Sequence, residues 1–402
     1  MHIAYFTNFY LPVVNGVVRS VQSFRDALST MGHNVFVFAQ EDNYEDTEPF
    51  IFRYPSLPLP GDIHTALPVS SFVDQLLPKL KLDVIHTHHP FLLGQTAAIK
   101  ARDHNLPLVF TFHTQYQEYT HYIPIPQEQV QEFLKNTVMN WLREFMRKCQ
   151  HIVIPSESMR SILVDEYGLV DRFTVIPTGI DIAPYKTANG SALRAEWGWH
   201  DDRIIISAGR LAEEKNWATL LQAFALAQKS QPNIRLVLVG DGPQADALRQ
   251  LAGELGVGER VLFTGKVPFG EIPNYLKAAD LFAFASVTET QGLVTLEAMA
   301  AGLPVVAVSA SGTRDILENG KQGFMVENNA QGLANGIIQL VESPSLMSRF
   351  KSAALRKSRT FDSQRLAKKM LKVYEQAIQD KKEEKYVTVE EKTALAAQKV
   401  GT

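Results

Sequence analysis

Short apolar runs alternate with amphipathic segments along most of this chain, and the alternation plays through once and then begins again. In the first half Ile3 to Phe6, Asn34 to Phe38, Asp83 to Thr87, Leu108 to Phe112 and His151 to Pro155 are such runs, with helical patterns such as Ser20 to Gly32 and Gly94 to His104 between them. After a connector near Ile176 to Tyr185 the rhythm restarts with Ile204 to Ala208, Arg235 to Val239, Arg260 to Thr264, Leu281 to Ala285 and Pro304 to Val308. Near-continuous apolar runs separated by helices are the pattern of parallel strands buried on both faces. The expectation is an α/β protein of two doubly wound, Rossmann-like domains whose parallel sheets face each other across a cleft. Residues 1–178 form one domain and residues 179–360 the other, each of ordinary domain size. A helix over 361–379 is expected to cross back to the first domain, and the charged segment 380–402 to be a disordered tail.

With 402 residues, 45% of them hydrophobic and 21% charged, the chain can bury two large cores. A net charge of −3 provides no global basic field for nucleic acid. The single cysteine, Cys149, excludes an internal disulfide and a cysteine-rich metal site and fits a reducing cytoplasm. No apolar run approaches the roughly 20 residues of a membrane span, and the opening Met1 to Phe6 reads as a strand rather than a signal peptide.

Ligands bind such sheets beyond the carboxyl ends of the strands, so the loops there carry the chemistry. Glu289 and Glu297 stand eight positions apart with Gly292 between them, ahead of the small apolar run Ala298 to Gly302. If the helix begins near Leu293, one acid precedes it and the other lies more than a turn inside, where a sugar and a ribose could each claim one. In Gly209-Arg210-Leu211-Ala212-Glu213-Glu214-Lys215-Asn216, Arg210 and Lys215 could grip a diphosphate together. Asn15-Gly16-Val17-Val18 opens a helix whose free N–H groups suit an anion, and Val239-Gly240-Asp241-Gly242-Pro243 is either a close approach to a nucleotide or a turn.

His86, His88 and His89 follow one strand and His113 the next. Three histidines in four positions invite a metal, but no carboxylate or cysteine completes a recognisable spacing. Asp201-Asp202 precedes a strand, on the wrong side of the sheet for a metal–diphosphate site, so no metal and no other cofactor is implied. His113 reads either as a polar group for a reacting sugar or as a satisfied buried histidine.

The Gly209 to Asn216 loop, the Glu289 to Glu297 pair, the Ala301-Gly302-Leu303-Pro304-Val305 turn and the Asn15-Gly16-Val17 loop together resemble the family 4 retaining glycosyltransferases of GT-B architecture, collinearly to about Ile378. The resemblance implies that Arg210 and Lys215 hold the donor diphosphate, Glu297 the nucleotide ribose and Glu289 hydroxyls of the transferred sugar. It places backbone of Gly292, Leu293 and Val294 on sugar and phosphates, Gly16 near the pyrophosphate and His113 at the reacting face. Catalysis would then rest on His113, Arg210, Lys215 and Glu289, with fixed positive charge meeting the charge that grows on the leaving diphosphate.

The segment Phe112 to Pro124, with Tyr116 and Tyr119, and the opening Phe9-Tyr10-Leu11-Pro12 are similar to the bacterial diacylglycerol glucosyltransferases of that family. Directly after it, Phe133, Trp141 and Phe145 recur near helical spacing among Lys135, Arg143, Arg147 and Lys148. That suits a helix lying on an anionic bilayer, the alternatives being packing on its own domain or a dimer face. The resulting expectation is a cytoplasmic enzyme, peripheral on the inner face of the membrane, moving a hexose from UDP-glucose to a lipid, diacylglycerol first. The alternatives are a GDP-sugar donor with mannosyl transfer to phosphatidylinositol or a soluble acceptor, and a non-catalytic sugar-nucleotide binding protein.

Overall fold

The computed structural model describes residues 1–13, 15–41, 44–59, 63–67, 69–113, 128–287 and 291–390. They form two compact units, one from Met1–Gly179 together with the chain from Gln364 onward, the other Ile180–Ser363.

In the first unit the strands are β1 (His2–Thr7), β2 (Asn34–Gln40), β3 (Ile51–Tyr54), β4 (Ser56–Leu59), β5 (Ile63–Ala66), β6 (Val84–Thr87), β7 (Leu108–Thr111), β8 (His151–Ile154) and β9 (Phe173–Val175). Seven of them build a sheet in the order β3-β2-β1-β6-β7-β8-β9, every pairing parallel, while β4 and β5 form a separate antiparallel hairpin. Winding runs outward from β1 to β3 on one side and from β6 to β9 on the other, so the order reverses between β1 and β6. Alternate side chains feed two cores, one holding Phe6, Phe38, Phe110 and Ile152, the other Ile3, Tyr5, Val37 and Val109.

The helix Ser363–Lys382 closes the second of these cores with Leu366, Met370 and Tyr374. The expectation of a disordered tail from residue 380 is corrected by the segment that succeeds this helix. Val387 and Val389 are buried in the first core, Val387 N–H donates to Cys149 O at 2.9 Å, and Glu390 N–H donates to Gly168 O at 2.9 Å. Two valines two residues apart, with Leu169 facing Val389 across an antiparallel bridge, make a short strand-like strap whose polar residues face out. Residues 391–402 lie outside the described residues.

The second unit contains β10 (Arg203–Ala208), β11 (Ile234–Val239), β12 (Val261–Phe263), β13 (Leu281–Phe284), β14 (Val305–Val308) and β15 (Gly323–Val326), in the order β12-β11-β10-β13-β14-β15 and parallel throughout. Its order reverses between β10 and β13. Cores lie on both faces, around Trp217, Phe224 and Leu238 on one and Phe282, Leu296 and Met299 on the other.

The helix Glu128–Met146 packs on its own unit through Met139, Leu142, Phe145 and Met146. Trp141 stacks on Phe91 with ring centroids 4.3 Å apart, and on Phe145 at 5.9 Å. Arg143 donates to the carbonyls of Glu166 and Tyr167, Arg147 to Val389 O and Glu144, and Lys148 to Gln95. Placing Trp141, Arg143 and Arg147 on a bilayer is therefore corrected: these side chains hold the helix to its neighbours, while Lys148, just beyond the helix, is exposed. Phe133, 69% exposed, and the half-buried Lys135 lie nearer the start of the helix, outside that contact.

Candidate active site

At the order reversal of the second sheet, the loops after β10 and β13 leave the carboxyl edge side by side, which is where doubly wound sheets open a crevice. The first of these loops is fastened along its length. Leu211 N–H donates to Asp241 O at 2.9 Å and Gln244 N–H to Leu211 O at 3.0 Å, zipping it to the loop after β11. Gly240 has φ +137, and a Cβ there would lie 2.0 Å from Gly209 O, so only glycine lets the two backbones approach so closely. Trp217 Nε1–H donates to Arg210 O at 2.9 Å. Asn216 holds the loop's far end in the left-handed region and donates to Ala285 O at the end of β13. Arg210 is left exposed and Lys215 half-buried on a backbone fastened at these points.

The second loop ends at Gly292, whose φ of +68 places it in the left-handed region as the N-cap of the helix Leu293–Ala301. Among the described residues no side chain caps this helix, so the first N–H groups remain for an outside acceptor, and the helix dipole favours an anion there. Glu297 lies in the second turn and is buried at 3% exposure. Glu289 lies outside the described residues. The structure thus brings Arg210, Lys215, Gly292, Leu293, Val294 and Glu297 to one edge of one unit. Asn216, which ties the two loops, entered the sequence reading only as the end of the Gly209 to Asn216 loop, with no role; it stands just before the helix Trp217–Ser230.

In the first unit the loops after β1 and β6 occupy the equivalent edge. Asn8 links them, its Nδ2 donating to Phe91 O at 3.2 Å and its Oδ1 accepting from Leu93 N–H at 3.1 Å. Sequence reading passed over Asn8 as well, since one asparagine at a strand end has no distinctive spacing. Gly16 begins the helix Gly16–Thr30, capped by Asn15, whose Oδ1 accepts from Val18 N–H at 2.9 Å. A Cβ on Gly16 would meet nothing within 4 Å, so packing inside the protein does not require glycine there.

The four histidines are buried together with hydroxyls. His86 bonds Tyr374 Oη through Nδ1 at 2.8 Å and Thr111 Oγ1 through Nε2 at 2.7 Å, and Tyr374 Oη lies 3.1 Å from Tyr5 Oη. His89 Nδ1 accepts Asn8 N–H at 3.1 Å, and His88 Nδ1 sits 3.0 Å from Nε2 of His113. Among the described residues no group of three or more histidine, cysteine or acidic side chains could hold a metal ion. His113 thus lies at the carboxyl edge, after β7, with one ring nitrogen engaged. Tyr116 and Tyr119 fall outside the described residues.

Burial holds the imidazoles neutral: His86 and His89 are pushed down to about 3, His151 to about 4, and His88 and His113 well below the ordinary 6.5. A histidine with a depressed folded-state pKa binds more protons unfolded than folded, so its contribution is intact above 6.5 and lost as the pH falls from there towards the folded value. Each histidine in that window removes about 1.4 kcal/mol per pH unit. The urea midpoint is therefore predicted to drop steeply between about pH 6.5 and pH 4, and less steeply in His86→Gln; a flat midpoint across that interval contradicts neutral burial.

A model of glycosyl transferases group 1 matches residues 191–357, and one of glycosyltransferase family 4 matches residues 14–183. The chain is 36% identical over 320 residues to the alpha-monoglucosyldiacylglycerol synthase of Streptococcus pneumoniae, covering 76% of this chain and 71% of that one. To the enzyme of the same name from Acholeplasma laidlawii it is 31% identical over 365 residues, covering 86% and 90%. Among solved structures, Anabaena HepE in complex with UDP matches with a TM-score of 0.73 at 22% identity, over 93% of this chain and 100% of that one. The sucrose-phosphate synthase of Thermosynechococcus elongatus matches with 0.73 at 22%, over 94% and 98%, a likeness of fold. Two doubly wound parallel sheets, one family model matched in each half, and relatives this similar along most of their length have one reading: the chain belongs to the family 4 glycosyltransferases of GT-B fold.

Proposed function

We propose that this glycosyltransferase is retaining and moves glucose from UDP-glucose to diacylglycerol at the inner face of the cell membrane. The observation that carries the donor half is the pairing, at the β10/β13 reversal, of the fastened Arg210–Lys215 loop with the uncapped helix start at Gly292. Phosphate oxygens would accept from the N–H groups of Leu293 and Val294 and pair with Arg210 and Lys215. Glu297 would accept from the ribose hydroxyls and Glu289 from hydroxyls of the sugar. Gly16, with open space around it, would admit the diphosphate, and His113 would meet the sugar.

In the reaction the bond from the sugar's anomeric carbon to the diphosphate breaks, and a bond to the acceptor oxygen forms on the same face. The acceptor's proton passes to an oxygen of the departing phosphate. Arg210 and Lys215 neutralise the charge growing on that phosphate, so no divalent ion is required and turnover should persist in a chelator. Support for the lipid acceptor comes from the two alpha-monoglucosyldiacylglycerol synthases and from exposed apolar side chains on the first unit. Phe9 and Leu92 stand on the loops after β1 and β6, and Phe133 lies two turns before Trp141 on its helix. Among the described residues no helix is long and apolar enough to cross a membrane, and the contact proposed is peripheral, through these side chains and Lys135.

The test is incubation of the purified protein with a panel of labelled nucleotide sugars and diacylglycerol vesicles, with lipid and water-soluble products resolved. Alpha-glucosyldiacylglycerol formed from UDP-glucose is expected. Transfer only from GDP-mannose, the donor named for a Corynebacterium glutamicum mannosyltransferase 29% identical to this chain, would overturn the donor assignment. Product confined to the aqueous phase would overturn the acceptor. In the same assay Arg210→Ala and Lys215→Ala should each lower kcat about 10²- to 10³-fold, with a smaller change in donor KM. Near-normal turnover in both contradicts their role.

A further inference from the structure

The pair His88–His113 is placed to do more than fill a core. Their rings lie within 24° of coplanar with centroids 5.3 Å apart, the arrangement of two imidazoles joined edge-on by a single N–H···N bond from the 3.0 Å contact of Nδ1 to Nε2. Since burial keeps both rings neutral, one proton lies between them and each ring has one further nitrogen.

Those two remaining nitrogens differ. Nε2 of His88 is fully buried and has no partner among the described residues. Around the same ring, His86 stacks at 4.4 Å and Tyr5 stands edge-on at 4.8 Å. Nδ1 of His113, by contrast, has no partner among the described residues, and its residue keeps 8% of its surface exposed. If His113 donated to His88, then His88 would have its own proton on the buried Nε2, an orphaned N–H of the kind folded proteins almost never keep. If His88 donates, the buried Nε2 is only a bare lone pair, the more tolerable of the two.

We infer that His88 is a positioning residue that fixes His113 as the Nδ1–H tautomer, so that His113 presents a hydrogen-bond donor at the carboxyl edge of the first sheet to an oxygen of the transferred sugar. His88 itself touches no substrate. Its ring plane is set by His86, which Thr111 and Tyr374 hold, and Tyr374 belongs to the helix Ser363–Lys382. The returning helix thereby helps to orient the His113 ring through Tyr374, His86 and His88. The sugar contact rests on the reading given under Proposed function; the tautomer does not.

Two measurements separate these. In full-length protein labelled with [15N]histidine, long-range proton–nitrogen correlation at neutral pH reads each tautomer directly, with His113→Gln and His88→Asn assigning the signals. His113 should show a protonated Nδ1 and an unprotonated Nε2, and His88 a protonated Nδ1. Protonated Nε2 atoms on both rings overturn the proposal, whether or not any transfer activity is found. Kinetically, His88→Leu should lower kcat about 10- to 100-fold, the usual cost of losing an orienting partner, with donor KM within a few-fold of wild type. His88→Asn, whose amide N–H2 can stand where Nδ1–H stood, should recover most of that loss. Lowered but equal turnover of the leucine and asparagine variants, with both folded by thermal melting, overturns His88 as a positioning donor. A correct tautomer with turnover unaffected by His88→Leu leaves His113 out of the sugar contact and refutes that part alone.

Discussion

A parallel sheet sends every strand's carboxyl end to the same edge, and everything functional in this molecule depends on that constraint. With crossovers returning over the faces, each next strand can be added on only one side of the first until the order reverses. Both sheets reverse beside their first strand, between β1 and β6 and between β10 and β13. Loops leaving neighbouring strands there diverge, and the gap between their roots is the one place on each sheet where backbone N–H groups and side chains converge on a ligand without interrupting a ladder.

Convergence alone would leave mobile loops. Here they are tied down by contacts of modest individual strength: Leu211 to Asp241, Trp217 to Arg210 O, Asn216 to Ala285 and, in the first unit, Asn8 across to Phe91 and Leu93. Each net hydrogen bond contributes only about 1 kcal/mol to stability, but together those in the second unit fasten the loop that carries Arg210 before any donor arrives. Charge held in advance on a fixed backbone is the form of electrostatic help that needs no reorganisation when the sugar–phosphate bond breaks. The histidine–tyrosine network plays the corresponding part in the first unit, at the cost of burying four imidazoles that must stay neutral.

The parts of the fold legible in the sequence were those whose residues are buried on both sides. All ten strands read from apolar runs are present; nine are interior to a sheet, where parallel strands admit little else, and β12 lies at an edge. Five strands were missed: β4 and β5, which form the separate hairpin, and β3, β9 and β15, which lie at sheet edges and carry half-buried side chains such as Phe52, Arg53 and Thr174 that blunt the pattern. Val387 and Val389 were lost among charges in Lys385-Tyr386-Val387-Thr388-Val389-Glu390, where an alternation two residues long is too short to distinguish a strand from a tail. Trp141 misled for a related reason: a half-buried aromatic beside cations has the composition of a membrane interface and of a helix seated on its own domain alike, and only the ring of Phe91 decides between them. Of the candidate site, the glycine-punctuated loops were readable because close backbone approach demands glycine. The asparagines that fasten them were not, since a single polar residue at a strand end has no period to betray it.

The central claim is that the donor nucleotide is bound at the carboxyl edge of the second sheet, at the β10/β13 reversal. Hydrogen–deuterium exchange of the full chain with and without UDP tests it most directly, because it reads backbone N–H groups in every loop at once. The account predicts that UDP slows exchange in 209–216 and 291–297 and leaves the opposite edge, 277–280 and 302–304, unchanged. Protection at that opposite edge, with 209–216 and 291–297 exchanging as in the free protein, would contradict it.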